Sequence, residues 1–164
     1  MKKLFIFLLL AIAFIVIIGI ITRKLQSNKG ALNFSNQAQN SKEVIIGDNK
    51  ITVEIADTEN TRFKGLSGKD KIDENTGMLF VFDGSAAIRT FWMKDMKFPL
   101  DFIWINDNKI IQIDKGIQIP QANTPDANLP TYTSKEPVNY VLEVNAGYTD
   151  KNNIKVGDSV QINL

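Results

Sequence analysis

The chain has 164 residues, with 19 basic and 18 acidic side chains, a net charge of +1, and neither cysteine nor histidine. That length allows one globular domain with a short appendage. The two missing residue types exclude disulfides, thiolate nucleophiles, Cys- or His-held zinc and every imidazole-dependent triad.

Four basic residues and no acid fall within Met1–Lys24, so the remainder is acidic by about three charges. A dedicated nucleic-acid binder carries a basic face, and none is expected here. Leu4–Ile21 is an unbroken apolar run of 18 residues framed by Lys2-Lys3 and Arg23-Lys24. A helix of about 20 residues crosses the hydrocarbon core, which predicts a single uncleaved membrane anchor over 1–24. The rival is a signal peptide, whose apolar core runs only about 7–15 residues before a small-x-small cleavage pattern that is missing here. Such an anchor places the protein in the cell membrane with its domain outside the cytoplasm. Residues 25–42, rich in Ser, Asn and Gln, read as a flexible linker.

Glu43–Ile46 and Ile51–Ala56 are β-branched and separated by Gly47-Asp48-Asn49-Lys50, which predicts a hairpin. Asp57–Leu66 is the best helix, capped by Thr58 and ended by Gly65 or Gly68. Phe63 and Leu66 lie three apart and are expected on its docking face. Gly77–Phe82 is continuously apolar and predicts a central strand covered on both faces. Thr90–Ile105 holds both tryptophans and reads as two strands joined at a turn near Pro99, with Lys94 on the first and Asp101 on the second. Along the second, Asp101, Ile103 and Ile105 alternate with Leu100, Phe102 and Trp104.

Asn106–Lys109 is a second tight turn, leading to a strand over Ile110–Ile119 with a wet face of Gln112, Asp114 and Gln118 and a bulge at Gly116. Pro120–Pro137 holds four of the five prolines and is expected to be a long irregular loop, with Tyr132 its one aromatic. Tyr140–Val144 is a strand, Gly147–Asn153 a turn of helix, and Ile154–Ile162 a last strand entered through Gly157-Asp158. Short strands without a βαβ rhythm predict a mainly β domain over 43–164, a small antiparallel barrel or sandwich-like domain with one or two short helices.

Several blocks recur in the order of one known family. They are Arg62 with Gly65-Leu66, Gly77–Phe82, Phe91-Trp92-Met93-Lys94, Pro99-Leu100-Asp101, Leu142-Glu143 with Gly147, and Ile154-x-x-Gly157-Asp158. Over roughly Glu43–Leu164 the chain resembles the domain of unknown function 192 family, also called uncharacterised protein family 0127. The resemblance implies a compact, mainly β domain, often exported or membrane-anchored, and no established reaction. It also implies Met where this chain has Ser67, and Asn-Thr where it has Asp95-Met96.

Arg62, Lys94, Asp101 and Glu143 are charges embedded in apolar blocks. An unpaired buried charge is too costly to persist, so each needs a partner or a shifted pKa. One reading is a structural network, Lys94 with Asp101 or Arg62 with Glu143. The other is a small-ligand pocket built from Arg62, Trp92, Lys94, Asp101, Trp104, Tyr132 and Glu143, in which a tryptophan supplies a flat face and the charges supply orientation. The function class that follows is a membrane-tethered binding or accessory module of the cell envelope, its domain monomeric and its partner a saccharide or an envelope protein. The alternative is a glycosidase-like hydrolase, for which Asp101 and Glu143 are the one plausible carboxylate pair. Asp48, Asp107 and Asp114 sit in Asx-rich turns that do not match an EF-hand loop, so no metal site is expected, nor any cofactor.

Overall fold

A computed structural model describes residues 42–164. The expected anchor over 1–24, and the linker apart from Lys42, lie outside the described residues. Among the described residues no helix is long and apolar enough to cross a membrane.

The domain is mainly β. Its elements are β1 (Glu43–Ile46), β2 (Asn49–Ala56), α1 (Glu59–Lys64), β3 (Thr76–Val81), β4 (Thr90–Trp92), β5 (Leu100–Asn106), β6 (Lys109–Ile117), β7 (Thr131–Thr133), β8 (Tyr140–Asn145), α2 (Tyr148–Lys151) and β9 (Val160–Asn163). Seven strands form one curled sheet in the order β6-β5-β8-β3-β2-β1-β9, and β4 and β7 form a separate ribbon. The curl brings the two outer strands together at one corner. Lys109 bridges Ser159, Ile110 N–H donates to Asp158 O (3.0 Å) and Val160 N–H to Asn108 O (2.8 Å). The result is a half-barrel rather than a sandwich. Its strand pairs are antiparallel except β2 with β3, which run parallel on either side of α1. The expectation of no βαβ unit is corrected at that one crossover.

β5 shows why both faces of the sheet are dry. Ile103 and Ile105 enter one core with Val44, Ile51, Leu142 and Val144, while Leu100, Phe102 and Trp104 enter a second with Leu66, Phe80, Met93 and Val141. Burying both faces of one strand is what its unbroken apolar run requires. α1 starts as predicted: Thr58 and Thr61 exchange side-chain-to-backbone hydrogen bonds in a capping box. It stops at Gly65, whose φ of 49° suits a residue without Cβ, and a Cβ there would lie 3.2 Å from the Phe80 ring. Because α1 ends at Lys64, Leu66 is past the helix and buried while Phe63 is 65% exposed. The expected shared face does not exist.

Three other expectations change. β4 ends at Trp92, and Met93–Met96 is a turn with Asp95 at φ 56°, so Lys94 is on no strand. The expected wet face of β6 is covered at one end by the returning chain: Gln112 is buried, donates to Asp114 (2.9 Å) and accepts from Lys135 N–H (2.8 Å), while Gln118 is exposed as expected. The proline-rich loop is not irregular throughout, because it contains a 3-10 turn at Asp126–Asn128 and strand β7. The bulge at Gly116 is present, with φ 61° and a register shift between Leu100 and Phe102. The last strand is shorter than expected, since Lys155–Asp158 closes a turn before it.

Candidate functional site

Phe91 of β4 is the pivot of the second core. Its ring meets Phe80, Phe82, Phe102 and Trp104 edge to face, with centroids 4.8, 6.3, 5.7 and 5.5 Å away. These contacts seat the β4–β7 ribbon on the sheet, while Leu66 and the α1–Gly65 corner pack beside it. Between α1 and β4 a cleft of about 410 Å³ remains. Its inner walls are Leu66, Phe80, Phe82, Phe91, Trp92 and Met96, its rim includes exposed Phe63 and Ile88, and Glu143 from β8 lies at its floor.

Glu143 is 5% exposed, and among the described residues no hydrogen bond or ion pair engages its carboxyl. Burial pushes its pKa from the ordinary 4.5 up to about 8, so the group is largely protonated and neutral at pH 7. The β3–β8 pairing is close here: Met78 is the register partner of Glu143, and a Cβ on the neighbouring Gly77 would collide with the Glu143 backbone carbonyl oxygen.

Two guanidiniums border the cleft. Arg62 Nη1 donates to Asp57 O (2.6 Å) and Val81 O (2.9 Å), and its Cζ lies 5.4 Å from the Phe82 centroid. Arg89 stacks more closely on the same ring, at 4.2 Å, and its Nε–H is buried with no hydrogen-bond partner. Among the described residues neither arginine has an acidic side chain within ion-pair distance. The mouth adds Glu59 and Lys64, so three basic side chains, Arg62, Lys64 and Arg89, stand there with one acidic side chain besides Glu143.

Of the seven residues expected in a pocket, the cleft brings together Arg62, Trp92 and Glu143. Asp101 is elsewhere. It pairs in register with Val144 while Phe102 pairs with Glu143, so the two carboxyls point to opposite faces of the sheet. That removes the pair on which a glycosidase-like hydrolase would depend. Asp101 is fully buried and accepts from Gly116 N–H (2.8 Å), Gly147 N–H (3.1 Å), Thr149 N–H (3.1 Å) and Thr149 Oγ1–H (2.6 Å). It ties the β6 bulge to the start of α2. Trp104 is buried and donates to Asp114 (2.8 Å). Tyr132 packs on Phe102 and lines a separate pocket with Met93 and Pro130. Lys94 forms an ion pair with Asp126, which holds its pKa above the usual value, and sits 5.6 Å from the Trp92 ring. Neither expected pairing, Lys94 with Asp101 or Arg62 with Glu143, is present.

The residue that sequence reasoning missed is Arg89. It lies inside Ala86-Ala87-Ile88-Arg89-Thr90-Phe91-Trp92, a charge in an apolar block, the same signal that singled out Arg62. The two departures from the expected pattern are neighbours: Ser67 Oγ–H donates to Lys94 O (2.8 Å) and Gly68 N–H to Asp95 O (3.0 Å). Asp95 occupies left-handed backbone that Asn and Asp both tolerate, so that position answers a conformational need, while Met96 turns its side chain into the cleft.

A solved structure from Sinorhizobium meliloti 1021, described as a "putative transcription regulator", is 30% identical, with 74% of this chain and 91% of that one covered and a TM-score of 0.63. A protein of unknown function from Novosphingobium aromaticivorans DSM 12444 is 25% identical over 73% of this chain and 83% of its own, with a TM-score of 0.64. No curated protein matches the chain. Residues 42–162 match the family DUF192, described as "Uncharacterized ACR". With three-quarters of its length inside that match, the chain belongs to the DUF192 family.

Proposed function

We propose that this protein is a membrane-anchored, extracytoplasmic binding module whose domain captures a small ligand in the cleft between α1 and β4. The observation that carries the reading is Glu143, a largely buried side chain whose carboxyl has no hydrogen-bonding or ionic partner among the described residues, placed at the floor of an open aromatic cleft. A buried polar group without a partner costs stability, and a ligand atom that hydrogen-bonds to it removes that cost. Aromatic walls with a few convergent polar groups are the usual make-up of a small-molecule site. The saccharide expected from sequence would need hydrogen-bonding side chains along the inner walls. Leu66, Phe80, Phe91 and Met96 stand there instead and favour a ligand with an apolar body. The description of the Sinorhizobium relative is not carried over, because beyond Lys24 this chain is net acidic.

The test has two parts. Protease applied to intact cells should release the domain, and protection would reverse the orientation. Screening the full chain in nanodiscs against a metabolite collection should yield ligands that shift Trp92 fluorescence, with the shift lost in Trp92→Phe. Ligands whose signal survives that substitution bind elsewhere, and their prevalence would defeat the cleft reading.

A further inference from the structure

The cleft is polarised along β3. Met78, Phe80 and Phe82 share one face of that strand, and Glu143 pairs in register with Met78. Four residues at about 3.3 Å each put the Glu143 end and the Phe82 end roughly 13 Å apart along the backbone. Phe80 lies between them, with Phe91 edge-on to it at 4.8 Å. At the Phe82 end both guanidiniums stand on one ring without acidic partners, and the Arg89 Nε–H is buried and unengaged. A guanidinium left with a free donor in a low-dielectric wall selects an anion, and its planar fork suits a carboxylate or phosphate.

Resting on the cleft reading above, we infer that the ligand is a small amphipathic anion of carboxylate or phosphate type. Its head meets Arg89 and Arg62 beside Phe82, its apolar body lies along Phe80 and Phe91, and an acceptor at its far end takes a hydrogen bond from the Glu143 carboxyl. The charges agree with this direction. Arg62, Lys64 and Arg89 outnumber Glu59 around the opening while the chain beyond Lys24 is net acidic, so the cleft mouth is a basic spot on an acidic domain. The neutral Glu143 does not oppose an anion as an ionised carboxylate would.

The experiment uses the full chain in nanodiscs of uncharged lipid, with empty nanodiscs subtracted, and four probes read by Trp92 fluorescence and calorimetry. They are 4-phenylbutanoate, phenyl phosphate, the neutral 4-phenylbutanamide and inorganic phosphate. The expected result is that at least one amphipathic anion binds tenfold or more tighter than the amide, with inorganic phosphate undetected because it has no apolar body. Arg89→Gln should erase the preference for the anion, weakening the anion by tenfold or more relative to the amide, and Arg89→Lys should recover part of it. An amide as tight as both anions, or an anion preference that survives Arg89→Gln, would overturn the inference and leave a cleft for neutral ligands. Failure of both amphipathic anions and the amide to bind at millimolar concentration would overturn the inference and the cleft reading together. Inorganic phosphate binding as tightly as phenyl phosphate would refute the role of the apolar body. The comparison of acid with amide needs no variant, so it decides the matter even if Arg89→Gln does not fold.

Discussion

Asp101 and Glu143 occupy adjacent register positions on β5 and β8, yet one accepts four hydrogen bonds and the other none. Asp101→Asn replaces half of that acceptor with a donor aimed at donors, so about 3 kcal/mol or more of stability should be lost, measured by urea unfolding. Ligand binding in whatever fraction stays folded should not change, because Asp101 is on the far face. Glu143 has the opposite linkage. Its folded pKa of about 8 is above the ordinary 4.5, so folding takes up a proton between those values. The contribution of Glu143 to stability should therefore be largest below about pH 4.5, fall by at most about 1.4 kcal/mol per pH unit up to about pH 8, and level off above it. Glu143→Gln should remove this slope and be the more stable protein at pH 8. Identical pH profiles of unfolding for the two proteins would mean that Glu143 is not desolvated. Both carboxyls could be picked out as charges within apolar runs. Which partner each meets depends on the facing of two strands 40 residues apart, and no local pattern carries that.

The β4–β7 ribbon is a three-residue pairing, too short to be stable on its own. Phe91 fastens it, so Phe91→Ala should cost about 3–5 kcal/mol and loosen the wall of the cleft. Urea unfolding checks the first effect, and a rise in protease cutting between Asp126 and Pro137 checks the second. β1, β2, β3, β5, β6 and β8 were legible because each follows a period of two or a continuous apolar run bounded by Asx or Gly turns. β7 was not, since Thr131-Tyr132-Thr133 is hidden between prolines and gains its partner only when Phe91 lands on Tyr132. The strand assigned to Lys94 failed for a related reason. A left-handed turn at Asp95 ends the strand, and nothing in Lys94-Asp95-Met96 distinguishes a turn Asp from a strand Asp.

At the scale of the whole domain, a mainly β fold with two short helices follows from strand count and turn chemistry. The single parallel step between β2 and β3 does not, because a six-residue helix with exposed Phe63 looks the same whether it crosses over a sheet or hangs beside it. The cleft depends on that step, which sets α1 over the Phe80 end of β3 and opposite β4. One further property follows from the pairing of β1 with β9. Glu43 and Asn163 are register partners, so the first and last strands lie side by side with their outer ends together. The polypeptide thus arrives and departs through the same doorway, about 5 Å across. A unit shaped this way can be spliced into a surface loop of another protein, or have its ends joined and be reopened at the Gly47-Asp48 turn, without stretching its sheet.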